Sequence, residues 1–368
     1  MSLGLGVIGC GSVFAGPYRG MIDRLRVAGR VHVSAVYDVD DAKRHGAAAH
    51  YEVSPDLRGP EDVVDAADVV LVLTSMNEHG PLARAALEAG RHVLVEKPMA
   101  TSLEEAAGLL ALAERGPGIL VCAPHILLSP TFRAVHAAVR AGEIGDLLTA
   151  RARYGWAGPW WNEWFYAPGG GSLFDLGVYN VTSLCALFGP ARRVTAMVGV
   201  AIPEREVNGR RIGVEADDNA HVLLDFGDAR FAAVTTGFTM QRYRSPAIEV
   251  YGSEGTVQLL GDDWAPEGWE LWRNGDGAWR VFPESDPHWQ WTEGLRHLVE
   301  CVEAGRATVT RPEHAYHALE VMLAAQAAGR DGVARAIESD FPDPLYDVAW
   351  AELDAERRAH DRRSHDGL

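Results

Sequence analysis

Apolar residues in the first third of the chain fall in short, nearly unbroken runs separated by stretches of helical spacing. Residues 3–8 (LGLGVI) read as a buried strand that runs into Gly9-Cys10-Gly11, and a helical stretch follows over roughly 16–28. Residues 31–37 (VHVSAVY) form a second strand ending at Asp38. Residues 68–75 (DVVLVLTS) form a third, whose continuous apolar run suits a parallel strand covered on both faces. A helix over 79–89 stops at Gly90, a strand covers 91–96, and a helix covers 102–115. Strands alternating with helices imply an α/β domain built on a doubly wound parallel sheet, predicted to occupy residues 1–122.

The pattern then changes. Helices are predicted over 130–142 and about 172–187, with an alternating strand at 147–157 and a Trp-rich loop from 156 to 168 between them. Seven β-type segments follow between 193 and 282, most of them separated by Gly, Asp or Asn turn signals such as Asn274-Gly275. Consecutive strands with short turns make an antiparallel sheet. Helices at about 291–304 and 312–328 close this second domain, predicted over 123–340. A charged tail takes up 341–368.

Composition narrows the function. The 368 residues are 47% hydrophobic and 23% charged, and carry a formal charge of −17 with a pI near 5.2. That acidity argues against nucleic acid as a partner. No apolar run approaches the ~18 residues of a membrane span, so no membrane partner is expected. The opening MSLGLGVIGCG has no positively charged n-region and no cleavage site. Cys10, Cys122, Cys185 and Cys301 are scattered without metal spacing and are expected to be reduced in a cytoplasmic protein.

Four features carry candidate chemistry. Glu96-Lys97-Pro98 ends an apolar strand, and the proline fixes its own φ and favours an extended Lys97, which aims the ammonium. Gly9-x-Gly11 after the first strand lets the backbone turn sharply and approach a pyrophosphate at a helix N-terminus. The third glycine of G-x-G-x-x-G is Phe14 here. Asp38 at the end of the second strand is placed to accept from ribose hydroxyls and to repel a 2′-phosphate. In GGGSLFDLGVYN, Asp175 and Tyr179 are four apart and share a helix face, although Ser172-x-x-Asp175 also fits a capping box and Tyr179 also fits a core tyrosine. The aromatic group from Trp156 to Tyr166 suits sugar rings or nicotinamide, but also a core or a subunit interface.

Taken together, AALEAGRHVLVEKPMA followed by GGGSLFDLGVYN, with GVIGCGS at the start, resembles the glucose–fructose oxidoreductase, inositol dehydrogenase and rhizopine-catabolism (Gfo/Idh/MocA) family over nearly the whole chain. The resemblance implies an N-terminal Rossmann domain and a C-terminal α+β domain on a large, mostly antiparallel open sheet that commonly forms the subunit interface. Lys97 then matches the catalytic lysine, and Asp175 the aspartate that helps to hold the reacting hydroxyl. Tyr179 falls where many members carry a catalytic histidine. Thr74-Ser75-Met76-Asn77-Glu78-His79 matches the cofactor-bordering loop that usually reads T-P-N-x-x-H, with Ser75 in place of proline. His125-Ile-Leu-Leu-Ser-Pro130 stands where the family has N-x-R-F-x-P, with the arginine absent.

The expected cofactor is NAD, with NADP as the alternative. It is expected to be bound by Gly9, Gly11, Ser12, Val13, Phe14, Asp38, Thr74, Ser75, Asn77, His79, Glu96 and Lys97. Catalysis is assigned to Lys97, Tyr179 and Asp175. Substrate contacts are assigned to His125, Trp161, Asp175 and Tyr179. No metal is expected. The predicted function is hydride transfer between nicotinamide and a sugar, polyol or related hydroxy compound by a homodimer or homotetramer. Lys97 is expected to stabilise the oxyanion and to favour tyrosinate at Tyr179. A nicotinamide-dependent glycosidase or lyase without net redox change, and a ligand-sensing regulator on the same scaffold, stay open.

Overall fold

Near-continuous apolar runs become central strands because both faces of a parallel sheet are covered. The computed structural model describes residues 2–344 and 346, except 245, 263, 284, 285 and 287; the tail expected over 341–368 lies mostly outside the described residues. Strand β1 (Leu3–Ile8) leads through a π turn (Phe14–Tyr18) into α1 (Arg19–Val27) and β2 (Val31–Tyr37). Helix α2 (Asp41–Tyr51) is capped by Asp40, whose carboxylate accepts from the N–H groups of Ala42 and Lys43. Helix α3 (Pro60–Ala66), β3 (Val69–Val72), α4 (His79–Glu88), β4 (His92–Val95), α5 (Leu103–Arg115) and β5 (Leu120–Cys122) complete the first unit. The five strands are all parallel, in the order β2-β1-β3-β4-β5. Strand order reverses between β1 and β3, so the ligand crevice of such a sheet opens beyond the carboxyl ends of these two strands.

The second unit begins with α6 (Pro130–Arg140) and β6 (Leu147–Gly155). A π turn (Leu173–Gly177) leads into α7 (Val178–Phe188). Strands β7 (Arg193–Gly199), β8 (Glu204–Val207), β9 (Arg210–Gly213), β10 (Asn219–Asp225) and β11 (Phe231–Gly237) follow. Strands β12 (Ile248–Gly252), β13 (Gly255–Asp262), β14 (Ala265–Arg273) and β15 (Ala278–Pro283) continue the sheet. Helices α8 (Glu293–Ala304) and α9 (Pro312–Asp331) and the short β16 (Arg335–Ala336) end the described chain. Nine strands form one sheet in the order β15-β14-β13-β12-β6-β11-β10-β7-β16, and β8 and β9 pair separately. All pairings of the large sheet are antiparallel except that of β6 with β11, so β6 is a central strand whose neighbours come from distant sequence.

Alternation sorts the two faces of this sheet. In β10, Ala220, Val222 and Leu224 are buried beneath the helices, while His221 and Leu223 point outward. Helices α6, α7 and α9 cover the inner face. The outer face leaves Met197 80%, Leu223 55% and Phe231 48% exposed. Of the tryptophans on these strands, Trp269 turns inward and stacks on Phe282 at 4.1 Å, whereas Trp272 and Trp279 meet each other across the pair β14–β15.

Helix α8 departs from the expected assignment to the second domain by its packing. Leu295, Leu298 and Val299 join the core of Leu5, Val7 and Leu71, so α8 lies against α1, β4 and β5. An amphipathic helix buries its apolar stripe wherever an open apolar surface remains, and here that surface belongs to the parallel sheet.

Several histidines are buried and neutral. Desolvation pushes His125 down to about 3, and His136, His314 and His317 to about 4. The unfolded chain would bind protons near the ordinary imidazole value while the folded chain does not. Stability is therefore present above about pH 6.5 and is lost as pH falls towards the folded values, by up to ~1.4 kcal/mol per pH unit for each ring. The urea midpoint is expected to drop steadily between about pH 7 and pH 5, before most carboxylates titrate. A flat midpoint over that interval would show that these rings are not held neutral by the fold.

Candidate active site

Two chain segments meet beyond the ends of the parallel strands. From the first comes Glu96-Lys97-Pro98, directly after β4, with a cis Lys97-Pro98 peptide. From the second comes the π turn before α7. The Lys97 ammonium donates to Asp175 Oδ1 at 2.6 Å and to the Asp175 carbonyl at 2.9 Å. It also lies 5.6 Å from the centroid of the Tyr179 ring. Lys97 and Asp175 side chains are each 14% exposed, so the pair is recessed but reachable. Burial pushes the ammonium down, but the Asp175 carboxylate, followed by Tyr179 and Glu96, outweighs burial and holds Lys97 above its ordinary value. Lys97 is thus held as a cation that donates hydrogen bonds.

The structure decides against the capping box. Ser172 has helical dihedrals and makes no cap hydrogen bond. Its hydroxyl instead donates to Asp217 Oδ2 at 2.8 Å, and the same oxygen accepts from the Leu173 N–H. Asp217 thereby anchors the start of the π turn. Gly171 has φ +106°, and a Cβ there would stand 2.4 Å from Asp217 Oδ1, so only glycine lets the carboxylate approach. With Ser172 occupied, Asp175 is left to Lys97. Tyr179 is half-buried and meets Tyr154 edge-on at 5.7 Å.

Lys97 is positioned from behind by residues that the sequence reading either missed or gave another role. Glu96, expected at the cofactor, is buried. It accepts from the Tyr18 hydroxyl at 2.9 Å and, through its other oxygen, from the Lys97 N–H at 3.1 Å. Burial, then the neighbouring Glu96, push the Tyr18 phenol up and keep it a donor. The available signal for Tyr18 was Pro17, which interrupts the helical pattern one turn after Gly11. His79, also expected at the cofactor, is buried with Nδ1 2.7 Å from the Pro98 carbonyl and Nε2 3.1 Å from the Thr74 carbonyl. It sits between the loop after β3 and the loop after β4, and burial pushes its imidazole towards the neutral form, in which one of the two nitrogens donates.

Burial or position bears on three further assignments. The Phe14 side chain packs in the core, edge-on to Tyr51, and leaves only its backbone to the crevice. His125 follows a cis Ala123-Pro124 peptide and is 1% exposed, with its ring against Gly294 of α8. Neither ring nitrogen has a hydrogen-bond partner among the described residues, and no path to a substrate is open to it. Trp161 stacks on Trp156 at 5.5 Å, edges against Trp160 and Phe165 within the Trp-rich loop, and keeps 40% of its surface exposed. Phe14 and His125, by contrast, are buried because an aromatic ring buries best where its apolar face is covered.

The remaining cofactor positions fit a dinucleotide. Gly9 has φ +98°, and a Cβ there would lie 2.6 Å from the Leu73 carbonyl carbon, so the turns after β1 and β3 can touch only through glycine. A Cβ at Gly11 would meet nothing within 4 Å, so beyond the close contact between the turns after β1 and β3 there is open space beside exposed Ser12 and half-buried Val13 at the start of the helical stretch. Asp38 accepts from the Cys10 N–H at 2.7 Å and the Asp40 N–H at 2.8 Å, which fixes its carboxylate at the edge of the turn with lone pairs to spare. Half-buried Thr74 and exposed Ser75 and Asn77 border the same crevice. The described residues hold no cluster of three His, Cys, Asp or Glu with metal-binding geometry.

A glycine turn at the switch point of a parallel sheet, facing an ion-paired lysine from the next strand end, defines a dinucleotide-dependent oxidoreductase. The model of the oxidoreductase family with an NAD-binding Rossmann fold matches residues 3–123, and that of the GFO/IDH/MocA C-terminal domain matches residues 132–258. The chain belongs to the Gfo/Idh/MocA oxidoreductases, and its first domain is an NAD-binding Rossmann domain. It is 30% identical over 259 residues to dTDP-3,4-didehydro-2,6-dideoxy-alpha-D-glucose 3-reductase of Saccharopolyspora spinosa, covering 69% of this chain and 73% of that one. It is 29% identical over 248 residues to trans-1,2-dihydrobenzene-1,2-diol dehydrogenase of Macaca fuscata fuscata, covering 65% and 70%. The fold matches an NAD-binding oxidoreductase from Klebsiella pneumoniae with a TM-score of 0.80 at 21% identity, over 92% of this chain and 100% of the other.

Arg44 bears on the expected cofactor preference. Its guanidinium donates to the Pro55 and Asp38 carbonyls and to Asp41, and lies over the Tyr37 ring. It is therefore committed to the fold and not offered to a 2′-phosphate, while Asp38 would repel that group. NADH is expected to bind at least ~10-fold more tightly than NADPH, or about 1.4 kcal/mol, in a fluorescence titration of both. Equal affinities would mean that Asp38 and Arg44 rearrange when cofactor binds.

Proposed function

We propose that this protein is an NAD-dependent dehydrogenase or reductase acting on a carbinol carbon of a sugar, polyol or related diol. The observation that carries this is the convergence of Lys97, Asp175 and Tyr179 at the mouth of the dinucleotide crevice. The named activities of the relatives, on a deoxysugar nucleotide and a cyclic diol, support the same substrate chemistry.

Nicotinamide, when bound, supplies the hydride exchange. The chain's own residues manage the oxygen and the proton. An ammonium has three donors, and Asp175 takes two of those on Lys97. The third serves the substrate oxygen and stabilises negative charge that develops there. Asp175 holds the ammonium still, so that little reorganisation is needed during reaction. The Tyr179 hydroxyl exchanges the carbinol proton, and the neighbouring cation favours its charged form during the transfer.

Lys97→Ala should therefore lower kcat by roughly 10²–10⁴-fold on a panel of sugars and diols, and Tyr179→Phe by a similar factor. NADH affinity should hardly move in either variant. A variant with kcat intact and only KM raised would reduce the residue to a binding contact.

The outer face of the large sheet supports a homo-oligomer, a dimer or a tetramer. Met197, Leu223 and Phe231 form an exposed apolar stripe across neighbouring strands β7, β10 and β11, larger than a lone surface residue requires. A two-fold axis would cover the stripe with its own copy. Light scattering at micromolar concentration should give a multimer that Leu223→Arg dissociates. A monomeric wild-type chain would contradict this.

A further inference from the structure

A recess of about 340 Å³ opens on the flank of α1 that faces away from the parallel sheet. Gly16, Gly20 and Arg24 make its floor, and Trp264, Trp289 and Trp291 stand around it. The two glycines serve no visible need of the fold. Neither has a positive φ. A Cβ at Gly16 would meet nothing within 4 Å, and one at Gly20 only Arg24 Nη1 at 3.8 Å. Glycine within a helical stretch is destabilising relative to alanine, so the missing side chains leave floor space at a cost to the helix.

The walls connect to the active site by two aromatic routes. Trp264 lies 6.3 Å from Tyr154, which meets Tyr179 at 5.7 Å, and Tyr179 adjoins Lys97. Trp291 meets Tyr18 edge-on at 5.7 Å, and Tyr18 holds Glu96 beside Lys97. The recess therefore neighbours the reacting centre without being part of it. Its volume is at the lower end for a ligand pocket and suits a single ring with its substituents.

Polar groups narrow the ring chemistry. The indole N–H groups of Trp264 and Trp289 are closed to solvent and have no acceptor among the described residues, so the two rings present their carbon faces and edges, not their N–H groups, to the recess. At the rim, Arg24 donates to Gln290 Oε1 at 2.8 Å, which leaves the amide N–H₂ of Gln290 turned to other partners. A pyranose presents apolar C–H faces to tryptophan rings and hydroxyl oxygens to the Gln290 amide at the rim. We propose that the recess is a subsite for a second sugar ring, so that the substrate is a disaccharide or longer glycoside oxidised or reduced in the ring at Lys97. This rests on the carbohydrate reading of the Lys97 site.

The test uses the full chain with NAD and paired sugars: glucose with cellobiose, maltose and gentiobiose, and galactose with lactose and melibiose. At least one disaccharide should exceed its monosaccharide in kcat/KM by about 10-fold, the worth of one well-packed ring contact. Gly20→Leu, which fills the floor with a better helix former, and Trp289→Ala, which removes a wall, should each abolish that advantage and spare the monosaccharide. Quenching of tryptophan fluorescence by the preferred disaccharide should vanish in both variants. Turnover of monosaccharides with no disaccharide advantage, or an advantage that survives both variants, would overturn the subsite and leave the active-site reading intact. No turnover of any sugar would overturn that reading, and the subsite with it.

Discussion

The Lys97–Asp175 ion pair is the contact on which the site depends. One partner comes from the end of a parallel strand, and the other from the turn that opens α7 against the antiparallel sheet. A recessed charge is tolerated only when it is paired, and loss of either partner would strand the other. The pair therefore fixes the second unit over the crevice of the first, and puts Tyr179 at the ammonium. Everything behind it is arranged to keep the two charges in place. Tyr18 and Glu96 hold the Lys97 backbone, His79 sits between Pro98 and Thr74, and Asp217 with Gly171 and Ser172 fixes the turn that carries Asp175.

Both helical segments that open onto the crevice begin with a π turn. The wider turn rotates the residues that follow it relative to an α-helix, and such turns are frequent at functional sites. In the first, Pro17 lacks an N–H for the regular ladder, and Tyr18 is brought round to Glu96. In the second, the Asp175 carbonyl is reached by Lys97 as well as its carboxylate. Phe14, where the dinucleotide fingerprint normally has glycine, is accommodated because its ring drops into the core against Tyr51.

The acidic and aromatic groups divide along the same line. Carboxylates near the crevice are either held by backbone N–H groups, as Asp38 is by Cys10 and Asp40, or paired with a cation, as Asp175 is. The aromatics of the Trp-rich loop largely pack on one another, with Tyr166 and Phe238 as a small separate core. Tyr179 is the aromatic ring beside the lysine, with Tyr154 edge-on behind it and Trp264 beyond.

How much was legible follows from how locally each feature is determined. The parallel strands and their helices could be read because burial on both faces forces continuous apolar runs, and the Gly9 turn because only glycine adopts its φ. Lys97, Asp175 and Tyr179 stood out because the spacing of their motifs is local. Local pattern could not show that Ser172 would turn to Asp217 and free Asp175 for Lys97, since those partners are 45 residues apart. Nor could it show that β6 pairs in parallel with β11, or that the short hairpin β8–β9 stands apart from the main sheet. Helix α8 has an apolar stripe that the sequence displays, but which surface that stripe covers was decided by the gap left on the parallel sheet. His125 was expected at the substrate because it stands where the family motif has asparagine. Its environment, a sealed contact with Gly294, exists only once distant segments pack, because burial is a property of the assembled chain and not of the residue.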